Sequence, residues 1–514
     1  MSDRSTRILL VGFYGIENSG VRHLASMLRE RGGFSCDIVF FKDWRNNQVD
    51  WPTDTEYRLL VDHIRRQGYG LVGLSFGSPY WKAAIELTRR LKAALGDAVF
   101  VLWGGLHTTL VPEECVDYAD AVILGEGELS LLEFAERLDD GRTLWESPSV
   151  WMKDPDGVLR TNPLAPLIQD LDTLPFRVLG GDGIWFIDRD RMTPGDPLLQ
   201  VREFRIFASR GCPFRCAYCY NSSLRNVYPG GNLHRRRSVD AVLDELRESR
   251  KKIPRMRWVK FDDDTFVFPR PWLEAFAARY KAEFSDLPFD ILITPEVARV
   301  DNLRLLKDAG LRGVQLGIEA GSDREQREVY ERTSTVEQVL AFDRANLELK
   351  LDTKYDVIID NPLALSSDKE ALFRLLMDLE SPYKIYLYSL TLFPKSAVTE
   401  KMIESGLATQ EDVEGHATKS FHQFRVSIDW PRSDEDTWWL ALYMLANKRF
   451  VPRALVWHFH DAPFWRQHPR TLLEIAGAAN LVRMLRIATG MLARGELSFQ
   501  KVREYANLRK MINQ

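Results

Sequence analysis

The chain has 514 residues, 45% of them hydrophobic and 28% charged, with a net charge of −4. That length exceeds one ordinary core and points to roughly two to four domains of a soluble globular protein. The charge gives no electrostatic basis for binding nucleic acid or an anionic membrane, and five cysteines do not make a disulfide framework.

From residue 7 to about 138, apolar strands alternate with amphipathic helices. Strands are expected over 8–13, 36–41, 71–76, 99–103 and 121–124, and helices over 21–31, 56–67 and 81–95. This pattern predicts a doubly wound, Rossmann-like parallel sheet over 1–140, with its ligand at the carboxyl ends of the strands. Residues 141–200 are rich in Pro, Gly and Asp and read as a linker with a short hairpin at Asp156-Gly157. A second series follows over 201–405, with strands at 204–209, 258–261, 290–294, 313–317, 356–359 and 385–390. Helices at 239–252 and 336–348 lie between them. Six β/α units imply a partial (β/α)6 barrel.

Beyond about residue 400 the strand signal stops. Segments 434–448 and 471–492 read as helices of a C-terminal domain, 406–514, a candidate cap over the substrate. Its Trp430, Trp438, Trp439, Trp457 and Trp465, with His458 and His460, read first as that cap's own core. The other reading is a pocket for an aromatic or hydrophobic substrate. The run Arg235-Arg236-Arg237 reads as a solvated face. No secretory signal is visible in Met1 to Arg7, and the longest apolar runs are strand-length, so no membrane span and a reducing, cytoplasmic setting are expected.

Cys212, Cys216 and Cys219 fall within eight residues, directly after the first strand of the second series. Thiolates suit iron–sulfur clusters or zinc. No fourth ligand is near: Cys36 and Cys115 are isolated in the other domain, and the closest histidine, His234, lies fifteen residues beyond Cys219. Three thiolates on a cubane leave one iron open, a catalytic rather than a structural arrangement. Zinc and plain burial are the alternatives.

The run Ser209 to Asn221 resembles the CxxxCxxC signature of the radical S-adenosylmethionine (SAM) superfamily, including the aromatic Tyr218 before the third cysteine. The resemblance implies a [4Fe–4S] cluster whose open iron binds the amino and carboxylate groups of SAM. One electron then cleaves SAM to methionine and a 5′-deoxyadenosyl radical, which abstracts hydrogen from substrate. It further implies SAM contacts at Tyr218, at Phe261 and Asp262 after the second strand, and at Glu319, Gly321 and Ser322 after the fourth. A carboxylate and a hydroxyl there can bond ribose hydroxyls. The turns Asp360-Asn361-Pro362 and Phe393-Pro394 are weaker candidates for lining the cavity.

At the carboxyl edge of the first sheet lie Ser75-Phe76-Gly77, Gly104-Gly105-Leu106 and Gly125-Glu126-Gly127-Glu128. Glycines there let a bulky ligand approach the backbone. No G-x-G-x-x-G follows the first strand, which disfavours a dinucleotide. These segments resemble the cobalamin-binding domain found ahead of many radical SAM enzymes. The resemblance implies contacts at Asn18, Ser75, Phe76, Gly77, Tyr80, Gly104, Gly105, Leu106, Gly125, Glu126 and Gly127. The D-x-H-x-x-G motif that supplies an axial histidine is absent; Asp62-His63 are adjacent and inside a predicted helix. His23 and His107 read as polar or core histidines, and Tyr80 is the residue expected to approach the lower face of the cobalt.

The function implied is a cobalamin-dependent radical SAM methyltransferase acting through methylcobalamin on an unactivated carbon or phosphorus centre. Rearrangement, ring contraction or oxidative cyclisation, and a cobalamin- or redox-sensing binding protein, are the alternatives. Methylthiolation of transfer RNA is disfavoured by the isolated Cys36 and Cys115 and the helical C-terminus. The expected partners are a small, natural-product-type substrate and an electron donor such as flavodoxin or ferredoxin, with no nucleic acid.

Overall fold

The computed structural model describes residues 4–43, 51–417, 432–447 and 450–493. The first sheet is built on β1 (Ile8–Phe13), β2 (Cys36–Phe41), β3 (Leu71–Ser75), β4 (Phe100–Gly104) and β5 (Ala121–Ile123). These short apolar runs are almost wholly buried, as parallel strands covered on both faces must be. The covering helices start where the sequence caps them. Asn18 accepts from Val21 N–H ahead of the helix Ser19–Ser26, and Thr53 and Glu56 form a capping box ahead of Asp54–Gln67.

Residues 141–200 are not a free linker. They supply β6 (Val150–Lys153), β7 (Leu159–Thr161), β8 (Ile184–Asp188) and β9 (Arg191–Pro194). The sheet runs β7-β6-β5-β4-β3-β1-β2-β8-β9, parallel from β5 to β8 with an antiparallel hairpin at each edge. The hairpin expected at Asp156-Gly157 is the one at the β7 edge. Edge strands of three to five residues carry too little hydrophobic periodicity to be read from sequence.

The second sheet takes β10 (Glu203–Ile206), then β13 (Trp258–Phe261), β14 (Phe289–Ile293), β15 (Leu311–Glu319), β16 (Asp352–Ile359) and β17 (Tyr383–Ser389), all parallel and in chain order. Between β10 and β13, β11 (Ser209–Arg210) and β12 (Arg235–Arg236) form a separate antiparallel pair. One face of the six strands packs Phe204, Phe261, Ile291, Leu316, Tyr355 and Leu387 into the main core. The other face is polar. There Arg205 pairs with Asp262 (3.1 Å), Lys354 with Asp290 (3.1 Å), and Gln315 Nε2 donates to Asp356 (2.6 Å).

The arginine run is not a solvated face. Arg235 is buried against Glu126 and Arg237 against Glu245, and only Arg236 is exposed. The C-terminal helices Asp434–Ala446, Arg453–Asp461, Pro463–Gln467 and Pro469–Ala493 extend the barrel's core rather than forming their own. Trp438 and Trp439 are buried in it, and Trp457 and Trp465 pack against it. Trp430 and Lys448 lie outside the described residues. No helix among those described is long and apolar enough to cross a membrane.

Candidate functional site between the two sheets

The three-cysteine loop leaves β11 and is pinned from both ends. Ala217 N–H donates to Tyr330 O (2.9 Å), Val398 N–H to Ala217 O (3.1 Å), and Arg225 to Cys212 O (2.6 Å). Burial pushes the Cys212 thiol up to about 12 and raises Cys216 and Cys219 as well. The backbone N–H groups of Phe214 and Asn221 work the other way on Cys212 and Cys219, favouring the thiolates. A metal that takes these ligands must displace their protons. A cubane takes each thiolate on a different iron, so it does not ask them to converge on one ion. Among the described residues no three His, Cys, Asp or Glu side chains do. Cys36 and Cys115 are sealed inside the first domain's cores. The donor set therefore fits a cluster with one open iron.

Around the loop the strand ends gather acids. Asp264, two residues past Asp262, accepts from the Tyr220 hydroxyl (2.8 Å). Asp263 accepts from Ala208 N–H (3.1 Å) and the Ser209 hydroxyl (2.5 Å). Glu319, at φ +66°, lies 3.3 Å from the buried Arg332, and burial pushes its acid up to about 7 although Arg332 opposes the shift.

Next to this loop lies a cavity of about 390 Å³ whose walls come from both domains. The first sheet contributes Ser75, Gly104, Gly105 and the Gly125-Glu126-Gly127-Glu128 loop over a floor of Leu10, Gly73 and Leu102. The second contributes Ser209, Arg210, Gly211, Tyr220 and Asp264. A Cβ added at Gly104 would meet nothing nearer than Ile123 O at 3.9 Å, so this glycine leaves space that a ligand can occupy.

The domains are clamped at one lip of the cavity. Arg235 grips both oxygens of Glu126 (2.6 and 2.8 Å), and Arg210 bonds Glu128 (2.6 Å) and Glu126 (3.3 Å). Burial opposes ionisation of Glu126, but Arg235 and Arg210 hold its acid below the usual range. Glu126 N–H donates to the Tyr228 hydroxyl (3.1 Å), which sits over Gly125.

Of the expected cobalamin contacts, Ser75, Gly104, Gly105, Gly125, Glu126 and Gly127 line this cavity, whereas Asn18, Phe76, Gly77, Tyr80 and Leu106 do not. Asn18 serves as a helix cap, Phe76 is buried between Phe13 and Trp103, and Tyr80 stacks on Tyr14 (4.5 Å). His107 bonds Ser78 (3.0 Å) inside the core, while His23 lines the cavity, and burial pushes both to about 4. Of the expected SAM contacts, Tyr218 and Glu319 meet at Arg332 beside Cys216. Asp262 faces the polar side of the second sheet. Phe261 does not: its ring stacks among Phe266, Phe276 and Phe289 on the helix-facing side. Ser322 donates to Asp368 (2.6 Å) and caps the turn at Glu325 (3.0 Å), and Gly321 lies against the Leu372 backbone. Arg332, Arg210 and Tyr228 carry no sequence signal of their own, because residues distant in sequence bring their partners to them.

Two family models match the chain. The B12 binding domain covers residues 8–135 and the Radical SAM superfamily covers 206–359. An uncharacterized methyltransferase of Pyrococcus horikoshii is 27% identical over 323 residues, 59% of this chain and 61% of that protein. An anaerobic magnesium-protoporphyrin IX monomethyl ester cyclase of Rubrivivax gelatinosus is 26% identical over 325 residues, 62% of this chain and 54% of that one. The chain thus spans less than two thirds of the length of these relatives. Among solved structures, the radical S-adenosylmethionine methyltransferase TsrM from Kitasatospora setae, with cobalamin and a [4Fe–4S] cluster bound, superposes with a TM-score of 0.62 at 18% identity over 78% of each chain. At that identity the likeness concerns the fold alone.

Proposed function

Because this chain belongs to the cobalamin-binding branch of the radical SAM superfamily, we propose that it is a methyltransferase that acts on an unactivated carbon or phosphorus centre of a small molecule. The observation that supports this reading is the single cavity walled on one side by the glycine edge of the B12 domain and on the other by the strand that leads into the cysteine loop. When bound, the cluster and SAM supply radical chemistry and cobalamin carries the methyl group.

The residues in hand divide the remaining tasks. Cys212, Cys216 and Cys219 hold the cluster. Glu319, with an acid near 7, accepts a hydrogen bond from a ribose hydroxyl or donates one itself, and Asp262 and Asp264 offer carboxylates at the neighbouring strand end. Ser75, Gly104, Gly105, Gly125 and Gly127 give cobalamin a backbone surface without side-chain obstruction. Exposed Pro213 and Arg215 leave the loop's outer side open to a low-potential flavodoxin- or ferredoxin-type donor. The C-terminal region holds its place at the barrel mouth through Arg432, which grips both oxygens of Asp360 at 2.6 Å. A cytoplasmic setting follows from the oxygen sensitivity of such a cluster.

Incubation under strong reductant with SAM, cobalamin and candidate substrates tests the reading through product mass. A gain of one CH₂ supports it. The cyclase relative favours a second reading, oxidative cyclisation, whose product loses hydrogens instead. Deoxyadenosine formation with no methylated product and no methylated cobalt would overturn the methyltransferase assignment.

A further inference from the structure

His23 stands in the last turn of the helix Ser19–Ser26 and lines the cavity shared by the two domains. Its Nδ1 lies 3.3 Å from Pro175 O. A carbonyl only accepts, so Nδ1 carries the proton and Nε2 is left as a bare acceptor. Burial pushes the imidazole down to about 4, so the ring is uncharged at neutral pH. Among the described residues no donor reaches Nε2, yet that nitrogen is not sealed away from solvent. Other polar side chains on the wall are already spent: Arg210 on Glu128 (2.6 Å), Arg237 on Glu245, and the Tyr220 hydroxyl on Asp264 (2.8 Å). The Nε2 lone pair is thus open to whatever fills the cavity.

At about 390 Å³ this space is at the small end of ligand sites, and a corrin macrocycle with its amide side chains overfills it. The nucleotide arm of cobalamin is a flat apolar bicycle followed by a ribose and a phosphate, and it matches the space better. Leu10, Leu102 and Leu131 offer the bicycle an apolar surface. The ribose hydroxyls then need partners, because burying them unpaired is costly. We propose that His23 is a recognition residue for that arm, its Nε2 accepting a hydrogen bond from a ribose hydroxyl. The proposal rests on the first domain binding cobalamin. The Pro175 carbonyl fixes the tautomer before the ligand arrives, as a backbone carbonyl does for a metal-ligating imidazole. An acceptor ordered in advance lowers the cost of binding.

The test is equilibrium dialysis of the full chain against hydroxocobalamin and against cobinamide, which has the macrocycle but lacks the ribose and the bicycle. His23→Leu keeps much of the volume and removes the acceptor. It should bind hydroxocobalamin roughly five- to tenfold more weakly and cobinamide as the unmodified protein does. His23→Gln, which returns an acceptor, should recover most of the loss. Should His23→Leu fail to fold, His23→Phe keeps a flat ring without an acceptor and takes its place. Unchanged hydroxocobalamin affinity in the variant without an acceptor overturns the proposal, and so does an equal loss for both ligands. An unmodified chain that binds neither ligand overturns the cobalamin reading and the proposal together.

Discussion

Asp263 lies beneath the start of the cysteine loop, where desolvation pushes its acid up to about 7 despite donors from Ser209 and Ala208. The folded chain thus binds this proton more tightly than the unfolded chain does. The stabilising contribution is complete below the ordinary value of 3.8 and is lost as pH rises through about 7. Asp263→Asn should flatten this decline: between roughly pH 5 and pH 8 its denaturation midpoint should fall less than that of the unmodified protein. Parallel profiles would contradict the assignment. At this scale the cysteine loop was readable because its spacing lies in eight contiguous residues. The two-residue period of β13 groups Phe261 with Val259 on the helix-facing side and leaves Lys260 on the other, so the Phe261 ring packs in the core. A hydroxyl after a strand serves equally well as a cap, and Ser322 accepts from Glu325 N–H here.

Segment 141–200 shows what an element owes to partners far away in sequence. Asp196 is fully buried and accepts both guanidinium bonds from Arg22 (2.7 and 2.8 Å) as well as Gly180 and Leu198 N–H (2.9 Å each). This pair ties the β9 end to the helix Ser19–Ser26, which itself lines the cavity. Asp196→Ala leaves Arg22 buried and unpaired, and should cost about 3–5 kcal/mol in chemical denaturation. A loss under about 1 kcal/mol, the worth of an exposed pair, would contradict that burial. The five central strands were legible from their apolar runs. β8 and β9 were not, because a charged residue 174 positions away is what buries this stretch.

The molecule as a whole depends on how the two sheets meet. The presence of two largely parallel sheets could be read from the alternation of strand and helix, but nothing local to the sequence says that Glu126 spends its carboxylate on Arg235 rather than on a ligand. Gly125 is the sensitive point of that contact. It sits at φ +73°, and a Cβ there would collide with the Tyr228 hydroxyl. Gly125→Ala adds about 1–2 kcal/mol of left-handed strain to that clash, so cobalamin should bind roughly tenfold more weakly while iron content stays the same. Unchanged cobalamin affinity by equilibrium dialysis would mean that this lip does not shape the site.

An isotope-labelled methyl group, followed from SAM in the anaerobic, cluster- and cobalamin-loaded protein, tests methyl transfer in the shared cavity most directly. Label should appear on the cobalt before substrate is added and later in product, with both signals absent in a Gly104→Trp variant whose cavity is filled. Label that reaches product from that variant, or never reaches cobalt in the unmodified protein, would contradict a shared cavity as the place of methyl transfer.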